Sequence, residues 1–245
     1  GKFNFRASYA AGFRTPTLSE LYATDIAKKN DRLTIGNLDL KSEKNNYFSL
    51  SAEYVHERFS VSVNAFYNNI RDMIDYNTIA TGDKAMEQYG HKEVRQRDNI
   101  AEAKVHGINV SANAYLGAGF NLSGGYTHLN TQDVELEQPI DKSIKNAYNI
   151  NAQWAHSWKI YRLNINLNGR INSKRFSKSY GYAPEYQLWN LNTRHSFNLK
   201  SVIIEPGCGM ENLFDYMDDR PYNSNYATLT PGRSFYISLS LKFKS

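Results

Sequence analysis

The sequence predicts an all-β chain, an antiparallel transmembrane β-barrel segment of about ten strands. Three observations carry that prediction. Apolar and polar residues alternate with period two through most of the chain, as strands with two unlike faces require. Short and long polar connections alternate between those segments. The composition joins 18 Tyr and 12 Phe to only 41% hydrophobic residues, with a mean hydropathy of −0.61. That mixture suits strands that are apolar only at every second position.

The first strand is expected near 2–12, where Phe3, Phe5, Ala7, Tyr9 and Ala11 interleave with Lys2, Asn4, Arg6, Ser8 and Ala10. The second is expected near 43–55 and the third near 58–75, where Phe59, Val61, Val63, Ala65 and Tyr67 share one parity. The fourth, near 95–115, changes phase. Ala101, Ala103 and Val105 share one parity and Ile108, Val110, Ala112 and Ala114 the other, so a β-bulge is expected at Gly107. The fifth and sixth fall near 119–131 and 144–156. The seventh, near 159–172, alternates most cleanly, with Tyr161, Leu163, Ile165, Leu167, Gly169 and Ile171 against Arg162, Asn164, Asn166, Asn168 and Arg170. The eighth and ninth fall near 185–198 and 201–213. The tenth, near 232–244, sets Ile237, Leu239, Leu241 and Phe243 against Ser238, Ser240, Lys242 and Lys244. A helix would spread each of these sets around its circumference.

Short connections fall near 55–58, 116–119, 156–159 and 198–201. Long ones fall near 13–42, 76–94, 132–143, 173–184 and 214–231. An up-and-down outer-membrane barrel has that rhythm, with tight periplasmic turns and long external loops. A soluble β-sandwich would share the period of two but has no reason to sort its loops by length. Aromatic residues such as Tyr9, Tyr54, Tyr67, Trp154 and Tyr161 lie near strand ends, where amphipathic rings form interfacial girdles. Asn4, Arg6, Asn64, Asn109, Asn151, Asn166 and their neighbours form the opposite, amide-rich face.

Several function classes are excluded or disfavoured. The 29 Lys and Arg against 24 Asp and Glu give a net charge of +5, spread along the chain without the basic stripe of a nucleic-acid binder. One cysteine, Cys208, cannot make an internal disulfide framework or a multi-cysteine zinc site. No apolar run is long enough for a membrane helix, and the opening residues do not read as a secretory leader. The six histidines form no metal-ligand spacing, and no Gly-x-Ser-x-Gly elbow is present. No enzymatic activity, resident cofactor or metal centre is expected. The loop carboxylates Asp215, Asp218 and Asp219 read as solvated groups facing lipopolysaccharide rather than as a calcium site.

Four local motifs resemble those of one family. Gly12-Phe13-Arg14-Thr15-Pro16 resembles the Phe-Arg-Ala-Pro box of TonB-dependent outer-membrane receptors, with Thr15 in the Ala position. Gly36-Asn37-Leu38-Asp39-Leu40 resembles the second box, with Leu38 in place of its proline. Asn212-Leu213-Phe214-Asp215 resembles the motif before the last external loop, and Pro231-Gly232-Arg233 opens the final strand. Phe243 corresponds to the terminal aromatic that such barrels present to their assembly machinery. The resemblance implies a twenty-two-strand barrel closed around an N-terminal plug, of which residues 1–245 are the C-terminal part. The plug, with its TonB box, and the first half of the barrel are expected outside this chain. It further implies TonB-energised uptake of a large, scarce nutrient, a ferric siderophore or haem, across the outer membrane. The partners expected are the TonB complex acting through the plug, the ligand, and outer-membrane lipid and lipopolysaccharide. A passive porin or a surface adhesin is the alternative.

Candidate ligand-binding residues lie in the two external loops nearest the first boxes. Lys28, Lys29 and Arg32 can attract an anionic chelate. His91, beside Tyr89, can ligate haem iron or hydrogen-bond a siderophore. Haem receptors of this family often carry a histidine between the two boxes. This chain has none from Thr17 to Gly36, where Tyr22 offers a phenol instead.

Overall fold

The computed structural model describes residues 1–177, 181–218 and 231–244, with backbone alone at 100 and 101. In chain order the elements are β1 (Lys2–Arg14), α1 (Leu18–Tyr22), β2 (Thr24–Ala27), β3 (Arg32–Ile35), β4 (Glu43–Val55), β5 (Phe59–Thr81), α2 (Gly82–Tyr89) and β6 (Glu93–Gly117). There follow β7 (Phe120–Asp133), β8 (Asn146–Trp158), β9 (Tyr161–Asn172), β10 (Arg175–Ser177), β11 (Gly181–Ala183), β12 (Tyr186–Asn198), β13 (Val202–Glu211) and β14 (Ser234–Phe243). The ten long strands form one meander in the order β1-β4-β5-β6-β7-β8-β9-β12-β13-β14. They correspond to the ten expected from alternation, with β5 and β6 longer than expected. The sheet does not close on itself: β1 and β14 are its two edges.

Register keeps the two faces distinct. Ile150 lies opposite Gly169, which lies opposite Trp189, and Trp154, Ile165 and Thr193 line up likewise. One residue along, Asn151, Asn168 and Asn190 are aligned on the other face. There Asn151 Nδ2 donates to Asn168 Oδ1 at 2.7 Å and to Asn166 Oδ1 at 3.1 Å. The apolar face is solvent-exposed at Phe5, Leu50, Ile108, Leu122, Ile150 and Ile237. An apolar surface of this extent needs a partner phase. The buried hydrophobic residues are few and sit mostly at the long-loop end: Leu33, Ile74, Ala85, Val94, Ala103 and Ala183.

Two expectations need correction. The ladder runs through Gly107 without a bulge, with Phe66 opposite on β5 and Leu129 opposite on β7. The irregularities lie instead between Ile70 and Ile74, between Thr78 and Ala80, and between Tyr115 and Gly117. Ala103 and Val105 keep the parity of the polar face, and Ala103 is fully buried. The phase change in sequence therefore records a covered patch at the top of that face, not a shift of strand. Gly107 answers a different need, since a Cβ there would lie 2.2 Å from the His128 carbonyl oxygen and 3.1 Å from the Phe66 ring.

The second correction concerns the loop expected at 76–94. It is mostly regular structure: β5 runs for 23 residues and β6 for 25, far beyond the roughly ten residues a tilted strand needs to span a bilayer. Between them α2 ends at Gly90, whose φ of 72° is the left-handed C-cap that glycine accepts. Leu33, Ala85 and Val94 make a small core there, with Ile35, Ala80 and Tyr89 packed around it. That core holds the β5–β6 extension upright and bonds β3 to it in parallel, Arg32 opposite Glu93.

Candidate functional site

The long-loop end is organised around Arg14, the last residue of β1. Its Nε and Nη2 donate to the two oxygens of Glu43 at 2.7 and 2.6 Å. Its Nη1 donates to both oxygens of Glu20 at 2.9 and 3.2 Å. Phe13, one residue back, points to the apolar face and is exposed. Pro16 leads into Thr17, which caps α1: Glu20 N donates to Thr17 Oγ1, and Thr17 N donates back to the Glu20 carboxylate at 2.8 Å. This reciprocal capping box fixes Glu20 where Arg14 can reach it. The Arg14 hydrogen bonds, with those from Thr17, hold the Glu20 carboxyl down at about 2.

The second box docks on the far end of the same helix. Asn37 N donates to Glu20 O at 3.0 Å and Gly36 N to Ala23 O at 2.8 Å. A Cβ at Gly36 would lie 2.5 Å from Leu21 O, so the approach is open to glycine alone. Asn37 Oδ1 accepts from Asp39 N, an Asx turn, while Leu38 projects outward, exposed. Asn99 then ties the approach to β4 into the sheet: its Oδ1 accepts from Lys41 N, and its Nδ2 donates to Lys41 O and Asp72 O. The two boxes, separate in sequence, form one staple.

Of the candidate ligand residues, Lys28 and Lys29 sit in the turn between β2 and β3 and are solvent-facing. Arg32, on β3, has an Nε that is shielded from solvent and makes no hydrogen bond. Tyr22 is exposed at the end of α1. Tyr89 packs against the small core, so its ring serves structure. His91 is held by Asp31, Nδ1 to Oδ1 at 2.9 Å, and Lys92 N also donates to Asp31. The Asp31 carboxyl is lowered, first by the His91 hydrogen bond. The structure thus brings Arg32 and His91 onto one β2–β3–α2 platform, with Lys28 and Lys29 at its tip, and leaves Tyr22 apart from it. Arg95 and Arg97 were not anticipated. Arg95 pairs with Glu93 at 2.6 Å, and Arg97 lies 3.7 Å over the Tyr76 ring. The alternation Arg95-Gln96-Arg97 within a strand puts both guanidiniums on one side, and that was the available signal.

At the other end of the chain, Asn212 is buried in the left-handed region at φ 52°. Its Nδ2 donates to Tyr216 O and Pro231 O, and its Oδ1 accepts from Tyr216 N. Leu213 N donates to Trp189 O, and Phe214 meets the Trp189 ring edge-on. Asp215 accepts from Arg233 N. The motif therefore clamps both ends of the last long connection, whose residues 219–230 lie outside those described. Phe243 lies on the apolar face opposite Val202. Among the described residues no group of three His, Cys, Asp or Glu is arranged to hold a metal ion.

The family model "TonB dependent receptor-like, beta-barrel" matches residues 2–213. The chain belongs to the TonB-dependent receptor β-barrel family. Among solved structures, a ferric enterobactin receptor (PfeA) from Pseudomonas aeruginosa superposes with a TM-score of 0.74 at 20% identity, covering 99% of this chain and 38% of that one. The ferric preacinetobactin receptor BauA from Acinetobacter baumannii gives 0.69 at 15%, covering 99% and 34%. The copper transporter OprC gives 0.71 at 14%, covering 99% and 37%. At such identities the likeness is one of fold. The chain spans little more than a third of the length of each of these proteins. The family is one of receptors and transporters.

Proposed function

We propose that this chain is the C-terminal part of an outer-membrane receptor that takes up a ferric chelate with energy from TonB. The exposed apolar face, sharply opposed to an amide-rich face, supports the membrane assignment most directly. In water that face would be unsatisfied, and in a bilayer it is the lipid-facing wall of a barrel. The edges β1 and β14 then pair with strands outside this chain, and the polar face encloses a plug on which TonB acts. A concavity of about 550 Å³ on that face, lined by Glu53, Ser62, Ser111, Asn113, Asn151 and Asn168, suits a polar, hydrated plug surface.

For the ligand, we infer an anionic ferric siderophore. Lys28, Lys29 and Arg32, joined by Arg97, give the β2–β3–β6 platform a cationic surface, while Arg95 is paired with Glu93. PfeA and BauA are named for ferric siderophores. Tyr89 is committed to packing, whereas His91, engaged by Asp31 through Nδ1, keeps Nε2 for a ligand, so haem is the second reading. The test is ligand association by stopped flow on the intact receptor with ferric enterobactin as probe. Replacing Lys28, Lys29 and Arg32 by Gln slows association, with the deficit shrinking as salt rises. An association rate unchanged across ionic strengths refutes the role of these cations. A hemin titration with a Soret shift that His91→Ala abolishes would move the ligand to haem.

A further inference from the structure

On the apolar face, at the short-turn end, the two central hairpins stop at different heights. β7 ends with Phe120 opposite Trp154, whereas β8 continues to Trp158, paired there only with β9. The result is a step, open on the β7 side of residues 156–158. Ala155 N donates to Gly119 O at 3.0 Å. By the alternation of an antiparallel ladder, the N–H of Ser157 points the same way, past the end of the β6–β7 hairpin. The wall of the step is aromatic: His156 stacks on Trp154, Trp158 meets His156 at a tilt with centroids 4.4 Å apart, and Tyr161 stacks on Trp158 at 5.5 Å.

Below the step the face is hollowed. Leu116, Phe120, Ala152, Trp154, Ile165 and Leu167 line an apolar groove of about 570 Å³. From Trp154 to Trp158 is roughly 13 Å along the strand, or about 10 Å of depth once barrel tilt is counted. Above the step lies Lys159, in the turn between Trp158 and Tyr161. The turns at this end carry Arg58, Lys159 and Lys200, with Lys244 bonded across to Leu199 O, against Glu57 alone among their described residues.

We propose that this step is a binding site for one anionic glycerophospholipid of the leaflet that faces the short turns. Its phosphate is received by the Lys159 ammonium and the open N–H of Ser157. Its glycerol lies against His156 and Trp158, and one acyl chain descends past Trp154 into the groove. Charge complementarity selects an anionic headgroup over a zwitterionic one, and the depth of the groove suits the middle carbons of the chain. This inference rests on the outer-membrane barrel reading above.

The test uses the intact receptor in detergent, titrated with dipalmitoylphosphatidylglycerol or with the phosphatidylethanolamine of the same chains, and bound lipid counted by native mass spectrometry. One phosphatidylglycerol is retained about fivefold more readily than phosphatidylethanolamine, and Lys159→Gln removes the preference. Ala152→Trp, which fills the groove, displaces both lipids. Equal retention of the two lipids, or a preference that both variants leave intact, overturns the site. Heat-modifiable migration of the unmodified protein on gels is scored on the same samples. Its absence refutes the barrel reading itself, whereas its presence without lipid preference refutes this site alone.

Discussion

Replacing Arg14 by Ala removes the cation shared by Glu20 and Glu43. The Glu20 and Glu43 side chains are only 13% and 15% exposed, so each is left as a largely desolvated charge. Breaking a buried ion pair from one side costs about 3–5 kcal/mol. Arg14 itself is 43% exposed, so solvent screens part of the attraction. Glu20 also keeps its bonds from Thr17, and Glu43 keeps Ile74 N. The expected cost is therefore about 2–3 kcal/mol, confined to the docking of residues 15–42 on the sheet. Hydrogen exchange on the intact receptor reads this directly, because the amides of Gly36 and Asn37 are bonded across the staple and that of Leu21 within the one-turn helix it holds. They should exchange about 30- to 150-fold faster in Arg14→Ala, at roughly tenfold per 1.4 kcal/mol. Arg14→Lys recovers little of this, since a point ammonium cannot fork to two carboxylates. Unchanged exchange at these amides, or equal acceleration in β9 and β12, would refute the staple.

Because the Glu20 carboxyl is held at about 2 in the folded chain, against roughly 4.3 unfolded, its contribution is complete above the unfolded value and fades as pH falls toward 2; protection at Leu21 should hold at pH 6 and decline below about 4.5, and a flat profile would contradict it. Ile165→Arg on the apolar face, level with Trp154 and about 10 Å deeper than Trp158, should cost roughly 2–4 kcal/mol in equilibrium unfolding, while Asn164→Arg, one residue along, is tolerated; equal costs would mean that the faces are misassigned. Gly36→Ala forces a Cβ to within 2.5 Å of Leu21 O, so the second box should undock, seen as new protease cleavage between 23 and 42 in a barrel that still migrates as folded.

The ten long strands were legible because each pairs with its sequence neighbour, and one face of each must be apolar. Alternation alone then marks their register and, apart from the extensions of β5 and β6, their extent. The structure at the long-loop end was not legible in the same way. β3 pairs in parallel with residues 93–96, a contact about sixty positions away that leaves no periodic trace. For the same reason His91 stood out as a candidate while its partner Asp31 did not. Arg14 was visible through its motif, and Glu20 could be inferred from the capping spacing Thr17-x-x-Glu20. Glu43, the other half of the clamp, emerges only once β4 lies beside β1, with Arg14 opposite Glu43. The phase change at 101–114 misled because a covered polar-face patch and a bulge write the same pattern.

The central claim is that this chain forms part of an outer-membrane barrel with its long connections outside and its short turns within. Single cysteines at Gly82, in the β5–β6 connection, and at Ala118, in the β6–β7 turn, test it in a Cys208→Ser background with a membrane-impermeant maleimide on intact cells. The account predicts labelling at 82 and none at 118 until the outer membrane is permeabilised. Labelling at 118 with silence at 82 would invert the topology and contradict the placement of the ligand platform.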